Sequence, residues 1–184
     1  MRIHCHLSVC LILVILLTSC GEENINSEHK QYYDIAYFFK QESVALQKNK
    51  MKIVKQIIKD GAKDLKTFDN INWQKELKPF ADCDINKPAW INSYLTDTIT
   101  LKNGGITITY TAKEEKLPVR SIKISFTNEN LIEDIVIRKE RHNFYYRSDD
   151  WFVYRAMKGF EIKGSQKVHF LDETIYEISA IFIP

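Results

Sequence analysis

Cysteine is nearly missing from the part of this chain that must fold. Its four cysteines are Cys5, Cys10, Cys20 and Cys83, so beyond residue 20 only Cys83 remains and no disulfide can close within that stretch. The fold must hold by packing. Net charge of one sign is also missing, at a formal +2, and nothing in the balance steers the chain toward nucleic acid. No apolar run reaches the roughly 20 residues a membrane-spanning helix needs. The longest is Leu7–Leu17.

Signatures of catalysis are equally scarce. There is no G-x-S-x-G, and His29, His142 and His169 are scattered, none joining another at helical spacing or in H-E-x-x-H; a zinc site has little support. Asp82-Cys83-Asp84-Ile85-Asn86 begins like a calcium loop. Lys87 then occupies the position that requires glycine, and Ser93 the position of the bidentate glutamate, so the segment reads as helix termination and loop anchoring by Asx side chains. Cys83 reads as a small buried hydrophobe with no neighbouring base to activate it. No cofactor, metal or catalytic residue is assigned. The expectation leans away from an enzyme, the alternative being a small hydrolase whose histidine and carboxylate meet only in the fold.

What is present begins at the N-terminus. Arg2 precedes the apolar stretch Leu7–Leu17, which stops at Leu17-Thr18-Ser19-Cys20. A basic start and an apolar core of this length are the parts of a secretory signal peptide. An aliphatic residue, two small residues and a cysteine resemble the lipobox of bacterial lipoproteins. Cys10 is the competing site, but branched Val9 stands before it where a small side chain is needed. The resemblance implies recognition by the signal peptidase through Leu17, Thr18 and Ser19, lipidation of Cys20, and a mature chain held on the membrane by that lipid. A thiolate is the side-chain nucleophile suited to forming the thioether, and two or three acyl chains anchor stably where one would be marginal.

Gly21 stands where an aspartate would suggest inner-membrane retention, so the resemblance permits an outer-membrane location in the bacterial cell envelope, periplasmic or surface-facing. Glu22 and Glu23 resemble the acidic clusters of exported Bacteroidota-type lipoproteins and read equally well as a solvated leader. Three segments are therefore expected: a signal peptide over 1–19, a lipidated tether over 20–30, and one domain over 31–184. Without the signal peptide about 165 residues remain, one domain's worth.

Within that domain two regimes are predicted, a helical part over 31–82 and a β part over 90–184. Ile35, Phe38, Phe39, Val44 or Ala45, Met51, Val54, Ile57 and Ile58 recur at mostly helical intervals, with Gly61 as a stop, and a second run from Asp64 to Phe80 repeats the spacing. Later segments alternate, as Ile106, Ile108 and Tyr110 do with Thr107, Thr109 and Thr111, the pattern of half-buried strands. Turns are expected at Asn103-Gly104, Thr127 to Asn130, Ser148 to Asp150, Lys158-Gly159 and Asp172-Glu173. The short links favour antiparallel neighbours. The expected fold is α+β: two N-terminal amphipathic helices packed on a seven- to eight-stranded antiparallel sheet or open half-barrel.

The aromatics of FYYRSDDWFVY supply the candidate binding surface, Tyr145, Tyr146, Trp151, Phe152 and Tyr154. Aromatic rings offer large contact area at little rotamer cost, and an exposed sheet face bearing them would take an apolar ligand or an envelope protein partner.

Overall fold

The computed structural model describes residues 30–184. The signal segment, the lipobox residues Leu17, Thr18, Ser19 and Cys20, and the tether before Lys30 lie outside the described residues. Gln31–Pro184 forms one compact unit, an α+β fold with an open antiparallel sheet of nine strands.

One helix, α1 (Ile35–Lys48), opens the unit. Asp34 caps it, its carboxylate accepting the Tyr37 N–H at 2.9 Å, which satisfies one of the donors orphaned at any helix start. Its end needs no glycine. Lys50 adopts φ 52°, its N–H reaches the Gln47 carbonyl, and the Met51 N–H reaches Leu46, the pairing of a Schellman cap. Ile35, Phe39, Ser43 and Leu46 are its buried positions, spaced as one helical face.

The chain then leaves the expected course. The helix predicted to run on to residue 60 is replaced by a hairpin of β1 (Lys52–Lys59) and β2 (Ala62–Phe68). Of the second predicted helix only two short pieces exist, α2 (Trp73–Glu76) and α3 (Lys78–Ala81). Asp60 at φ 48° and Gly61 at φ 84° form the two-residue link between Lys59 and Ala62, so Asp60-Gly61 is a type I′ hairpin turn. Ile53, Val54, Ile57 and Ile58 satisfy helical spacing, yet they are β-branched and favour a strand.

Seven further strands follow: β3 (Tyr94–Thr100), β4 (Ile106–Ala112), β5 (Val119–Phe126), β6 (Ile132–His142), β7 (Tyr146–Arg155), β8 (Gly159–Val168) and β9 (Thr174–Ile183). Each pairs antiparallel with the next, and β1 inserts beside β9 to give the order β2-β1-β9-β8-β7-β6-β5-β4-β3. The Ser148 to Asp150 turn is also corrected. These residues lie inside β7, paired with Arg141, Glu140 and Lys139. The turn sits earlier, where the Asn143 side chain accepts the N–H groups of Tyr145 and Tyr146 at 2.9 and 2.8 Å, an Asx turn.

Register decides which residues face α1. Across the middle strands, Ala180, Phe160, Tyr154, Ile135 and Ile124 form one row, and Ile178, Ile162, Phe152, Ile137 and Ile122 the next. Directly paired residues share a face, and this is the helix face. Phe80 packs among Phe39, Phe152, Tyr154 and Phe160 with ring centroids 5.3–5.7 Å apart. Such tilted and edge-on pairs add to the gain from burial alone. Glu42 of α1 ties the helix to β7, accepting the Tyr154 hydroxyl at 2.7 Å and the Met157 N–H at 3.0 Å.

The segment after α3 extends the cover. Cys83 and Ile85 are buried, and Asn86 accepts the Tyr32 N–H at 3.0 Å and donates to the Tyr33 carbonyl at 3.3 Å. Asp82 pairs with Lys78 at 2.6 Å. The calcium-like string thus fastens the N-terminal segment and closes a short helix.

Burial, then the adjacent Glu42 charge and hydrogen bond, hold the Tyr154 phenol un-ionised well above its ordinary range near 10, and burial does the same for Tyr94. A folded-state pKa raised above the unfolded value contributes stability that is whole below the unfolded pKa and is lost as pH rises beyond it. Urea-unfolding stability should therefore hold from neutrality to about pH 10 and fall above it. Tyr154→Phe should flatten that fall while lowering neutral stability by about 1 kcal/mol. Phe80→Ala should cost about 3–5 kcal/mol, read as a shift of the urea midpoint at unchanged slope.

Candidate functional site

The face opposite α1 is open, and strand alternation assigns its residues. From β6 come Arg138 and Glu140, from β7 Asp149 and Trp151, from β8 Lys163 and Ser165, from β9 Ile175 and Glu177, and from β1 Ile58. Asp149, Trp151, Lys163, Ile175, Glu177 and Ile58 border an open concavity of about 680 Å³. Trp151 is 46% and Ile175 64% exposed, and in register Lys163 and Glu177 stand between Trp151 and Ile58, so apolar and charged side chains are interleaved along the concavity.

A lattice of ion pairs frames that surface. Arg138 holds Asp149 in a two-pronged contact, Nε to Oδ1 at 3.2 Å and Nη2 to Oδ2 at 3.0 Å, and also donates to Glu140 at 3.0 Å. Its guanidinium lies 5.5 Å from the centre of the Trp151 ring, a cation–π arrangement. Lys163 bridges Glu161 and Glu177 at 3.5 and 3.3 Å, and Arg155 pairs with Glu161 at 3.0 Å. The Asp149 hydrogen bond holds the Arg138 guanidinium more firmly protonated. The Arg155 hydrogen bond holds the Glu161 carboxyl below its usual range, the opposite of what a general acid needs near neutrality.

The aromatic residues predicted to share a binding surface divide in two. Trp151 is on the open face, and Tyr145 is 68% exposed at the tip of the β6–β7 hairpin. Tyr146 is half-buried. Tyr154 is buried against Phe39 of α1 and Phe152 against Phe80 of α3, because β7 alternates and its even positions build the core. Alternation also separates the two acids: Asp149 faces the open side, whereas Asp150 is buried on the other and accepts the Tyr176 hydroxyl. Gly164, opposite Asp150, leaves room for that pair, since a Cβ there would stand 2.9 Å from the Tyr176 oxygen and press on the Asp150 carboxylate.

Sequence reading missed the contribution of Lys163, Glu177, Ile175 and Ile58. Their signal was present only as a shared parity within each strand, and pairing alone brings β1, β9 and β8 beside Trp151 of β7. Neither His142 nor His169 borders the concavity, and no ion pair joins either to a carboxylate among the described residues. Nor does any group of three or more His, Cys, Asp or Glu suited to a metal occur among them. Among the described residues no helix is long and apolar enough to cross a membrane. Compared with known proteins, the chain matches no family model, no curated protein and no solved structure.

Burial pushes the Cys83 thiol up to about 11, and its Sγ donates to the Pro79 carbonyl at 3.3 Å. At pH 8 the thiolate is therefore scarce and shielded. Ellman's reagent should leave Cys83 unmodified in the native protein and label it on unfolding in urea. Fast native labelling would contradict its placement.

Proposed function

We propose that the protein is a non-catalytic lipoprotein of the bacterial cell envelope, anchored through lipid on Cys20 at the outer membrane, whose open sheet face binds an envelope protein partner. The anchor rests on Leu17-Thr18-Ser19-Cys20 after an apolar core of signal-peptide length. The binding reading rests on one observation, an uncovered sheet face with Trp151 half exposed inside a frame of ion pairs.

That combination suits a protein partner better than an apolar small molecule. A small apolar ligand calls for a concave, largely enclosed pocket lined by aliphatic and aromatic groups. Here the helix face is filled by the chain's own rings, and the open-face concavity mixes Trp151, Ile175 and Ile58 with Asp149, Lys163 and Glu177. An open surface on which apolar side chains alternate with ion-paired ones suits the mixed polar and apolar character of a protein interface. The hydrolase alternative would need a histidine brought to a carboxylate, and the ion-paired carboxylates of this face are not disposed for it.

Two measurements test the reading. Cys20→Ala should abolish incorporation of labelled fatty acid and leave an uncleaved precursor; undiminished labelling would end the lipoprotein assignment. Trp151→Ala should weaken capture of the native envelope partner by about 2 kcal/mol, near thirtyfold, with the urea midpoint almost unmoved because the ring is half exposed. Unchanged partner affinity would remove the open face from the function.

A further inference from the structure

At one end of the sheet two hairpin tips carry apolar side chains that none of the described residues covers. Phe144 is 77%, Tyr145 68%, Phe170 91% and Leu171 62% exposed. The tips are fastened together, the His169 N–H donating to the Tyr145 carbonyl at 2.8 Å. His169 lies 4.0 Å from the Phe170 ring and 5.5 Å from Phe144. Phe170 stands at φ 68°, uncommon for a bulky side chain. Exposed rings gathered at a tip are surface without an internal purpose.

Charge adjoins the rings. His142, Arg147 and Lys167 are laterally paired in one row across β6, β7 and β8, and Arg141 is exposed beside them. Like charges directly opposite one another destabilise a sheet, and no carboxylate pairs with Arg147 or Lys167 among the described residues. Asp172 and Glu173 follow Leu171 on the way into β9, leaving β7 and β8 at this end to the facing cations Arg147 and Lys167. Rings at a tip with a basic collar match the interface of an anionic bilayer, where aromatics sit at headgroup level and cations meet lipid phosphate.

The point where the chain enters the domain supplies an independent argument. Gln31 is held at the start of β3, its side chain bonded to Asn92 at 2.6 and 2.8 Å. In an antiparallel order the start of β3, the end of β6 and the start of β7 share one end of the sheet. Four strand spacings separate β3 from β7 and six separate it from β9, about 19 and 29 Å. The eleven residues from Cys20 to Lys30 can span at most about 36–40 Å, so a lipid on Cys20 and both tips can meet one plane.

We propose that the Phe144-Tyr145 and Phe170-Leu171 tips dock on an anionic lipid surface, giving the anchored protein a second membrane contact that fixes its orientation. The proposal rests on the lipoprotein reading for the first contact. Tethering raises the effective concentration of the tips at the bilayer to the millimolar range, so a weak intrinsic affinity suffices. With the strands standing on the membrane, the open face of β6 to β9 is presented sideways to a partner.

The test uses the mature lipidated protein in vesicles of phosphatidylcholine with one quarter phosphatidylglycerol, and in phosphatidylcholine alone. An environment-sensitive fluorophore is placed at Leu171→Cys or, at the opposite end of β7, Lys158→Cys; buried Cys83 stays unlabelled. Nitroxide-bearing lipid should quench residue 171 about threefold more than residue 158, because interfacial side chains lie ~5–10 Å into the headgroup boundary. The difference should shrink in phosphatidylcholine alone, and in Phe144→Ala with Phe170→Ala or Arg147→Glu with Lys167→Glu. Protein that co-floats with vesicles but shows equal quenching at both sites overturns the docking and leaves the anchor standing. Failure to co-float overturns both. Crosslinking of tips between two copies, without quenching, would assign the cluster to self-association and overturn it too.

Discussion

One sheet face has to be kept dry by very little helix, and the rest of the structure answers to that constraint. Nine strands at about 4.8 Å spacing measure ~38 Å across, whereas a helix of fourteen residues such as α1 is about 21 Å long. The deficit is met by large side chains and by irregular chain. Phe39, Phe80, Phe152, Tyr154 and Phe160 fill the space under α1 with rings, while Cys83, Ile85 and Leu117 bury themselves from connecting segments. With Cys83 free and the one cysteine among the described residues, this packing carries the stability.

Two polar fasteners set where the cover lies. Glu42 receives both the Tyr154 hydroxyl and the Met157 N–H, two donors on one partly buried carboxylate, and charge-assisted bonds of that kind are strong and directional. On the other flank Lys55 of β1 pairs with Glu76 of α2 while lying 6.0 Å from the Phe68 and Phe160 ring centres. Apolar contact drives the helices onto the sheet, and these bonds choose among its many greasy positions. Because the cover is concentrated on one side, the opposite face is free to carry Trp151 and its ion pairs.

The β part was legible because its strands alternate cleanly and its turns announce themselves. Ile106, Ile108 and Tyr110 do face one way and Thr107, Thr109 and Thr111 the other, and Asn103-Gly104 and Thr127 to Asn130 are turns. The 52–68 segment misled for a definite reason: Ile53, Val54, Ile57 and Ile58 fit a helix stripe and a two-sided strand equally, and Gly61 serves a helix stop or a hairpin. Asp60 beside Gly61 and the β-branched content were the deciding clues. Ser148-Asp149-Asp150 misled in the opposite sense, as turn chemistry placed inside a strand, where Asp150 finds the Tyr176 hydroxyl and Asp149 finds Arg138.

The sequence by itself determined the class of the described unit: an α+β fold with a single cysteine, an antiparallel sheet and an aromatic-rich β7. These follow from local spacing, turn residues and counts, which need no knowledge of neighbours. Tertiary structure alone decided that β1 inserts beside β9, which aromatics are core and which are surface, and that Lys163, Glu177, Ile175 and Ile58 meet Trp151 on one face. It also set Phe144 and Tyr145 beside His169, more than twenty residues later. Those outcomes are set by strand order and register, and a one-residue change of register would exchange the two faces.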